Sequence, residues 1–310
     1  NVLYSIVDRI YIGRMGENSS LALTGVGVCL PIITIVIAFA NLIGMGGAPL
    51  FSIKRGEGNE KEAEAILGNS VTLLVIFGLC LTVVGLIVKR PLLYLLGASE
   101  NTIEYANSYI TIYLLGNVFV MMSLGLNSFI NAQGFGKTGM FTVVIGAVLN
   151  IILDPIFISG FGMGAAGAAI ATTIGNIMAS VYYLWYFCRK SRNMSMAFRY
   201  FKCGDRILSQ VCSAGLPTAI FSALMSISTI ILNQILVAYG NAPVAAIGIV
   251  FKANMFITFL QMGLANGVQP LLGYSYGAGN RERFIAVERY TKKCLSLIHI
   301  SEPTRRTPIS

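Results

Sequence analysis

Apolar residues run in long uncharged stretches broken by short polar turns, and that pattern divides the 310 residues into eight candidate membrane spans. Crossing the hydrocarbon core takes about 20 apolar residues. The qualifying stretches are 1–13 (a truncated first span), 21–51, 65–88, 105–131, 139–158, 165–188, 207–239 and 243–273. Turn signals separate them at 16–20, 56–59, Lys89-Arg90-Pro91, 133–136, 159–164 and 239–243. The run from 207 to 251 lacks charge for 45 residues, too long for one span, and Gly240-Asn241-Ala242-Pro243 divides it.

The basic residues set the orientation. The turns after spans 2, 4, 6 and 8 carry 15 Lys and Arg, and those after spans 1, 3, 5 and 7 carry 3. Short cytoplasmic loops are the ones enriched in Lys and Arg, so the even turns are expected inside.

An internal repeat follows. Residues 24–59 align without gaps to 245–280 at an offset of 221, with Gly27, Gly46, Pro49, Leu50, Gly56, Gly58 and Asn59 matching Gly248, Gly267, Pro270, Leu271, Gly277, Gly279 and Asn280. Most are residue types that fix backbone geometry at a helix end. The repeat pairs span 2 with span 8, a period of six spans, and an even period keeps both copies in the same orientation. The predicted fold is therefore all-α and polytopic, with about eight transmembrane helices of an expected twelve in two parallel six-helix repeats. Residues 1–188 form the first lobe, 189–206 a cytoplasmic linker, and 207–294 the first two helices of the second lobe.

Composition narrows the function. Only 11% of residues are charged and 55% are hydrophobic, against about 25% charged in soluble domains. That excludes a cytosolic enzyme, a nucleic-acid binder or a disordered scaffold, because the +9 charge sits in the short turns. The 33 glycines suit membrane helices that approach closely. The six cysteines form no CxxC, and the only histidine is His299, so no metal site, disulfide frame or histidine-assisted nucleophile is expected.

Both ends are expected to be incomplete or foreign. There is no initiator Met, and Asn1 opens inside an apolar stretch. Residues 295–310 (LSLIHISEPTRRTPIS) break the preceding pattern and resemble translated sequencing-adapter read-through, so this tail is expected to be non-native.

Two carboxylates of the first six spans lie at membrane depth, Asp8 and Asp154. A charged side chain there costs about 2.5–3.5 kcal/mol on insertion scales and is usually retained for function. Both spans run outward, and both residues lie within a turn or two of the outer loops. Tyr4 shares a helix face with Asp8, Asn150 with Asp154, and Thr172 with Asn176, each pair at i,i+4. The six could converge at one depth. Structural alternatives stand beside this: Asp154-Pro155 as a helix-end device, Asp8 paired with Arg9 or Arg14, and Thr172 with Asn176 as interhelical glue. Lys252, near the middle of span 8, either snorkels to the interface or lines a cavity between the lobes, where it could bind anions, repel cations or release a proton. The aromatic run Tyr182, Tyr183, Trp185, Tyr186 and Phe187 reads as an interface belt.

Several stretches together resemble the multidrug and toxic compound extrusion (MATE) family of secondary transporters, over residues 1 to about 293. They are Tyr4-Ser5-Ile6-Val7-Asp8, Gly46-Gly47-Ala48-Pro49 with Gly56-Glu57-Gly58-Asn59, Asn131-Ala132-Gln133-Gly134, Asn150 to Ile158, and Gln269-Pro270 with Gly277-Ala278-Gly279-Asn280. The resemblance implies a multi-pass cell-membrane protein, not an enzyme, with twelve helices in two lobes that expels organic cations in exchange for H⁺ or Na⁺. It implies a first-lobe cation site at Tyr4, Asp8, Asn150, Asp154 and Thr172, with Tyr109 and Asn127 as further lobe-lining positions. The expected partners are organic cations and the lipid bilayer, with no nucleic acid, no cofactor beyond the coupling ion, and a monomeric state.

The mechanism expected is a shared site. Apolar surroundings disfavour two bare negative charges, so one carboxyl should hold a proton, or the two should share Na⁺ at Asp8, Asp154, Asn150 and Thr172. Filling the site would weaken the hold on a cationic substrate, provided the two ligands favour different states. The rivals are a lipid-linked oligosaccharide flippase of the same superfamily, which would want a cationic cavity around Lys252, and an intramembrane aspartyl protease. The latter wants Gly-x-Gly-Asp, whereas Asp154 follows Leu153 and precedes Pro155.

Overall fold

The computed structural model describes residues 11–13, 19–189, 206–237 and 241–300. Ten α-helices follow one another among them: α1 (Ser19–Val28), α2 (Leu30–Gly56), α3 (Glu60–Leu95), α4 (Ile103–Leu115), α5 (Asn117–Ala132), α6 (Gly136–Asp154), α7 (Gly164–Arg189), α8 (Arg206–Val237), α9 (Asn241–Gly277) and α10 (Arg281–Ile300). A π-helical turn, Pro155–Gly160, continues α6. Among the described residues five helical segments are long and apolar enough to cross a membrane, or six with the bent pair α4–α5 counted as one. The all-α polytopic fold read from the apolar runs is the one observed.

Span 2 is the pair α1 and α2, an unbroken apolar stretch from Ser19 to Gly56. Pro31 stands in the first turn of α2, where its missing N–H costs nothing. Cys29, between the two helices, donates its thiol to the carbonyls of Gly25 and Ala106.

Three expectations from turn signals need correction. Pro91 does not end span 3, because α3 runs through it to Leu95. Proline removes one helical hydrogen bond, and here the loss falls close to the helix end, beside a well-exposed Ile87. Span 4 is not one helix. It breaks at Gly116 and bends by 57° between α4 and α5. A break in lipid frees backbone groups that must find partners. Thr82 donates to the carbonyl of Leu114 beside the break at 2.8 Å, and the side-chain amide of Asn117, just past it, ties α5 to the Gly78 carbonyl of α3 at 3.0 Å. Residues 281–293, read as a cytoplasmic loop, belong to α10, which continues six residues into the suspected tail. Its charge along one face hid it from a search for uncharged runs.

The repeat is visible in the backbone. Gly58 and Gly279, 221 residues apart, both take left-handed φ, +75° and +65°. The next residues cap the helices that follow: Asn59 accepts from the N–H of Glu62 at 3.2 Å, and Asn280 from that of Arg283 at 3.0 Å. By this register α10 is the counterpart of the opening of α3.

Helix α2 is the centre of the packing, touching α3 and α5 on one side and α8 and α9 on the other. It meets α9 at their C-terminal ends across a pair of glycines that are themselves repeat equivalents. A Cβ on Gly56 would collide with the carbonyl oxygen of Tyr274 and lie 2.9 Å from the N of Ala278. A Cβ on Gly277 would collide with the carbonyl oxygen of Ile53 and lie 3.1 Å from the N of Glu57. Each contact is the other shifted by 221 residues, so the two helices cross on a local two-fold axis with their backbones touching. Higher up, Gly46 and Gly215 bring α2 and α8 together in the same manner.

Candidate functional site

Asp154 is the last residue of α6, where the helix loosens into the π-helical turn, and it is fully buried. The helix does end there, but no water-facing end device is present, since its carboxyl group points into protein. Asn150, one turn earlier and also buried, donates its amide to Asp154 Oδ1 at 3.3 Å and to Thr172 Oγ1 of α7 at 3.3 Å. The i,i+4 spacing of Asn150 and Asp154 put them on one face, and the packing of α6 on α7 turns that face to Thr172.

Thr172 leads to Asn176. The Asn176 amide donates to the Thr172 carbonyl at 2.8 Å, and its Oδ1 accepts the hydroxyl of Ser123, on α5, at 2.9 Å. Four of the six residues expected to converge therefore form one polar ladder across α6 and α7, extended to α5 by Ser123. Asp8 and Tyr4 lie outside the described residues.

Beside the ladder is a void of about 10 Å³ lined by Gly146, Asn150, Thr172, Gly175 and Asn176. That is close to the smallest space that holds one water. The donors are hard oxygens from a carboxylate, an amide and a hydroxyl, a set suited to H⁺, water or a small alkali cation and unsuited to soft metals. Among the described residues no group of three or more His, Cys, Asp or Glu could hold a metal ion.

A larger cavity of about 210 Å³ opens on the other side of Asn176. Its polar wall comes from Asn41, Ser123, Asn127, Ser128, Thr142, Asn176, Tyr183 and Asn266. An adjoining space of about 50 Å³ adds Asn131 and Gln269. The cavity thus lies between helices α2, α5, α6, α7 and α9. Amides and hydroxyls line it, offering donors and acceptors with no charged side chain among the described lining residues.

Asn127 stands in the C-terminal half of α5. It donates to the Tyr183 hydroxyl at 2.6 Å and accepts from Asn131 at 3.0 Å. Tyr109 lies on the other arm of the broken span, buried and stacked on Tyr113 with ring centres 6.5 Å apart. Lys252 falls within α9, but its side chain lies outside the described residues. The aromatic belt needs correction: Trp185 is exposed, whereas Tyr183, Tyr186 and Phe187 are buried. Residues 183, 186 and 187 share the inward face of α7, and a run of five aromatics hid that periodicity.

The MatE family model matches residues 1–156 and 217–300. The chain belongs to the MatE family. It is a multi-pass membrane protein of a transporter family and not an enzyme. It is 31% identical over 276 residues to the multidrug export protein MepA of Staphylococcus saprophyticus, covering 89% of this chain and 61% of that protein. Over 278 residues it is 30% identical to MepA of Staphylococcus aureus, covering 90% and 61%. The chain spans about 61% of the length of the curated relatives it matches. Among solved structures it is similar to a MOP superfamily transporter from Pyrococcus furiosus (TM-score 0.88, 26% identity, 97% of this chain and 66% of that one). It is also similar to a multidrug resistance MATE family transporter in an outward-facing conformation (TM-score 0.84, 26% identity, 97% and 66%).

Within this MatE chain, sequence reasoning missed Ser123, Asn131, Asn41, Asn266 and Tyr183. A signal existed for two of them. Ser123, Asn127 and Asn131 repeat at four-residue intervals, which puts three polar groups on one helix face. Nothing in the sequence ties that face to Asn176.

Proposed function

We propose that the protein exports organic cations by alternating access in exchange for H⁺ or Na⁺, with Asp8, Asp154, Asn150, Thr172 and Tyr4 as the coupling site. The observation that carries the proposal is the buried Asp154–Asn150–Thr172 cluster, joined through Asn176 to the amide-lined cavity between the lobes. A carboxyl group enclosed by α6 and α7 changes its charge only by taking up a cation, and that change alters the hydrogen bonds its neighbours can make. The MepA relatives are named as multidrug export proteins, which supports organic substrates. With the expected orientation, the glycine contact between α2 and α9 closes the cytoplasmic side, which supports an outward-facing reading of the arrangement. One of the similar structures is of an outward-facing transporter. Facing inward requires this contact to part while the lobes rock about the cavity.

The test is efflux of a fluorescent organic cation from vesicles holding the full-length transporter, with an H⁺ or a Na⁺ gradient imposed alone. One gradient should drive efflux, and Asp8→Asn should abolish it while membrane insertion persists. Undiminished efflux by that variant would overturn the assignment.

A further inference from the structure

Among the described residues Asn176 is the one polar side chain that lines both the 10 Å³ void at Asn150 and Thr172 and the 210 Å³ amide-lined cavity. Its carboxamide is held at both its nitrogen and its oxygen. The nitrogen is held by the Thr172 carbonyl at 2.8 Å, and the oxygen accepts the Ser123 hydroxyl at 2.9 Å. Ser123 is buried and lies on the face of α5 that carries Asn127 and Asn131. A cation entering the void would meet Thr172, Asn150 and this same Asn176 as its wall. The side-chain oxygen is aimed at the Ser123 hydroxyl on α5, so facing the void instead requires the carboxamide to turn away from Ser123.

We propose that Asn176, set by Ser123, is the positioning residue through which the occupancy of the Asp154 site controls substrate affinity in the amide-lined cavity. This rests on the coupled-transport reading above. In the structure Asn176 Oδ1 points to α5 and holds the Ser123 hydroxyl. With a proton or Na⁺ taken up beside Asp154, Oδ1 swings toward the void and releases the Ser123 hydroxyl into the cavity wall. The wall that a substrate meets on α5 therefore differs between the two states, which is the differential interaction that coupling requires.

The experiment measures Kd for a fluorescent organic cation on the purified full-length transporter, with the coupling ion absent and at saturation. In the unmodified protein the ratio of the two Kd values should fall in the range of roughly 5- to 150-fold usual for allosteric coupling. Asn176→Leu should bring the ratio to near one while the probe still binds. Ser123→Ala, a small change that preserves packing, should reduce it, and the double variant should equal Asn176→Leu alone. A merely structural role predicts weaker binding in both conditions and an unchanged ratio, and that result would overturn the proposal. Should Asn176→Leu fail to fold, an unchanged ratio in Ser123→Ala would do so alone. A ratio of one in the unmodified protein would instead sink the coupled-transport reading itself.

Discussion

Replacing Gly277 with alanine tests whether the α2–α9 contact is the inner seal. The added Cβ would fall 2.9 Å from the carbonyl carbon of Ile53, closer still to its oxygen, and 3.1 Å from the N of Glu57. All three are backbone atoms, so no side chain can rotate aside. The helix ends must part by roughly 1 Å to restore ordinary van der Waals separation. Overpacking of this kind costs about 1–3 kcal/mol, and the cost falls only on the arrangement in which the inner ends touch. The ratio of inner-closed to inner-open molecules should then drop by a factor of roughly 5 to 150. Lys61 and Glu282 are exposed and flank the contact from the first turns of α3 and α10. Spin labels at those positions in the full-length transporter, read by pulsed EPR, should gain a longer-distance population in Gly277→Ala. Gly56→Ala should act alike, and the double variant should be less than additive because both changes strike one contact. An unaltered distance distribution in a folded Gly277→Ala protein would refute the seal.

Other outcomes follow from single contacts. Asp154→Asn should eliminate ion-driven efflux in the vesicle assay while the protein still inserts, since the amide keeps the shape but cannot exchange a cation. Asn127→Leu removes the donor to the Tyr183 hydroxyl and a polar face of the cavity, so probe affinity should fall at least several-fold without loss of fold. Thr82→Val deprives the Leu114 carbonyl at the break in span 4 of its side-chain donor, and thermal unfolding should report a loss of about 1–3 kcal/mol. Asn59→Ala removes the cap of α3 and should lower stability by about 1 kcal/mol. Asn280→Ala should do the same to α10.

Much of this protein is legible in its sequence because membrane spans and caps are local properties. Whether a stretch of twenty residues prefers lipid depends on its own composition, and Lys and Arg counts then give its expected direction. The offset of 221 residues predicted a parallel repeat from Gly, Pro and Asn alone, and it reappears in the left-handed glycines and matching caps at Asn59 and Asn280. The i,i+4 pairing of Asn150 with Asp154 was equally readable, since helix geometry fixes which neighbours share a face.

The features that only the tertiary structure decided are contacts between helices distant in sequence. Gly116 looks like any membrane glycine until Thr82 of α3 is seen donating to the Leu114 carbonyl beside the break, and Asn117, just past it, to the Gly78 carbonyl of α3. Tyr183 belongs to an aromatic run that reads as a belt, and only the packing of α7 on α5 turns its hydroxyl to Asn127. The same holds for Ser123 and Asn176, 53 residues apart. Periodicity records how each helix divides its faces between lipid and protein. It does not record which protein surface a buried face will meet, because that is set jointly by two helices and by the depth at which they cross.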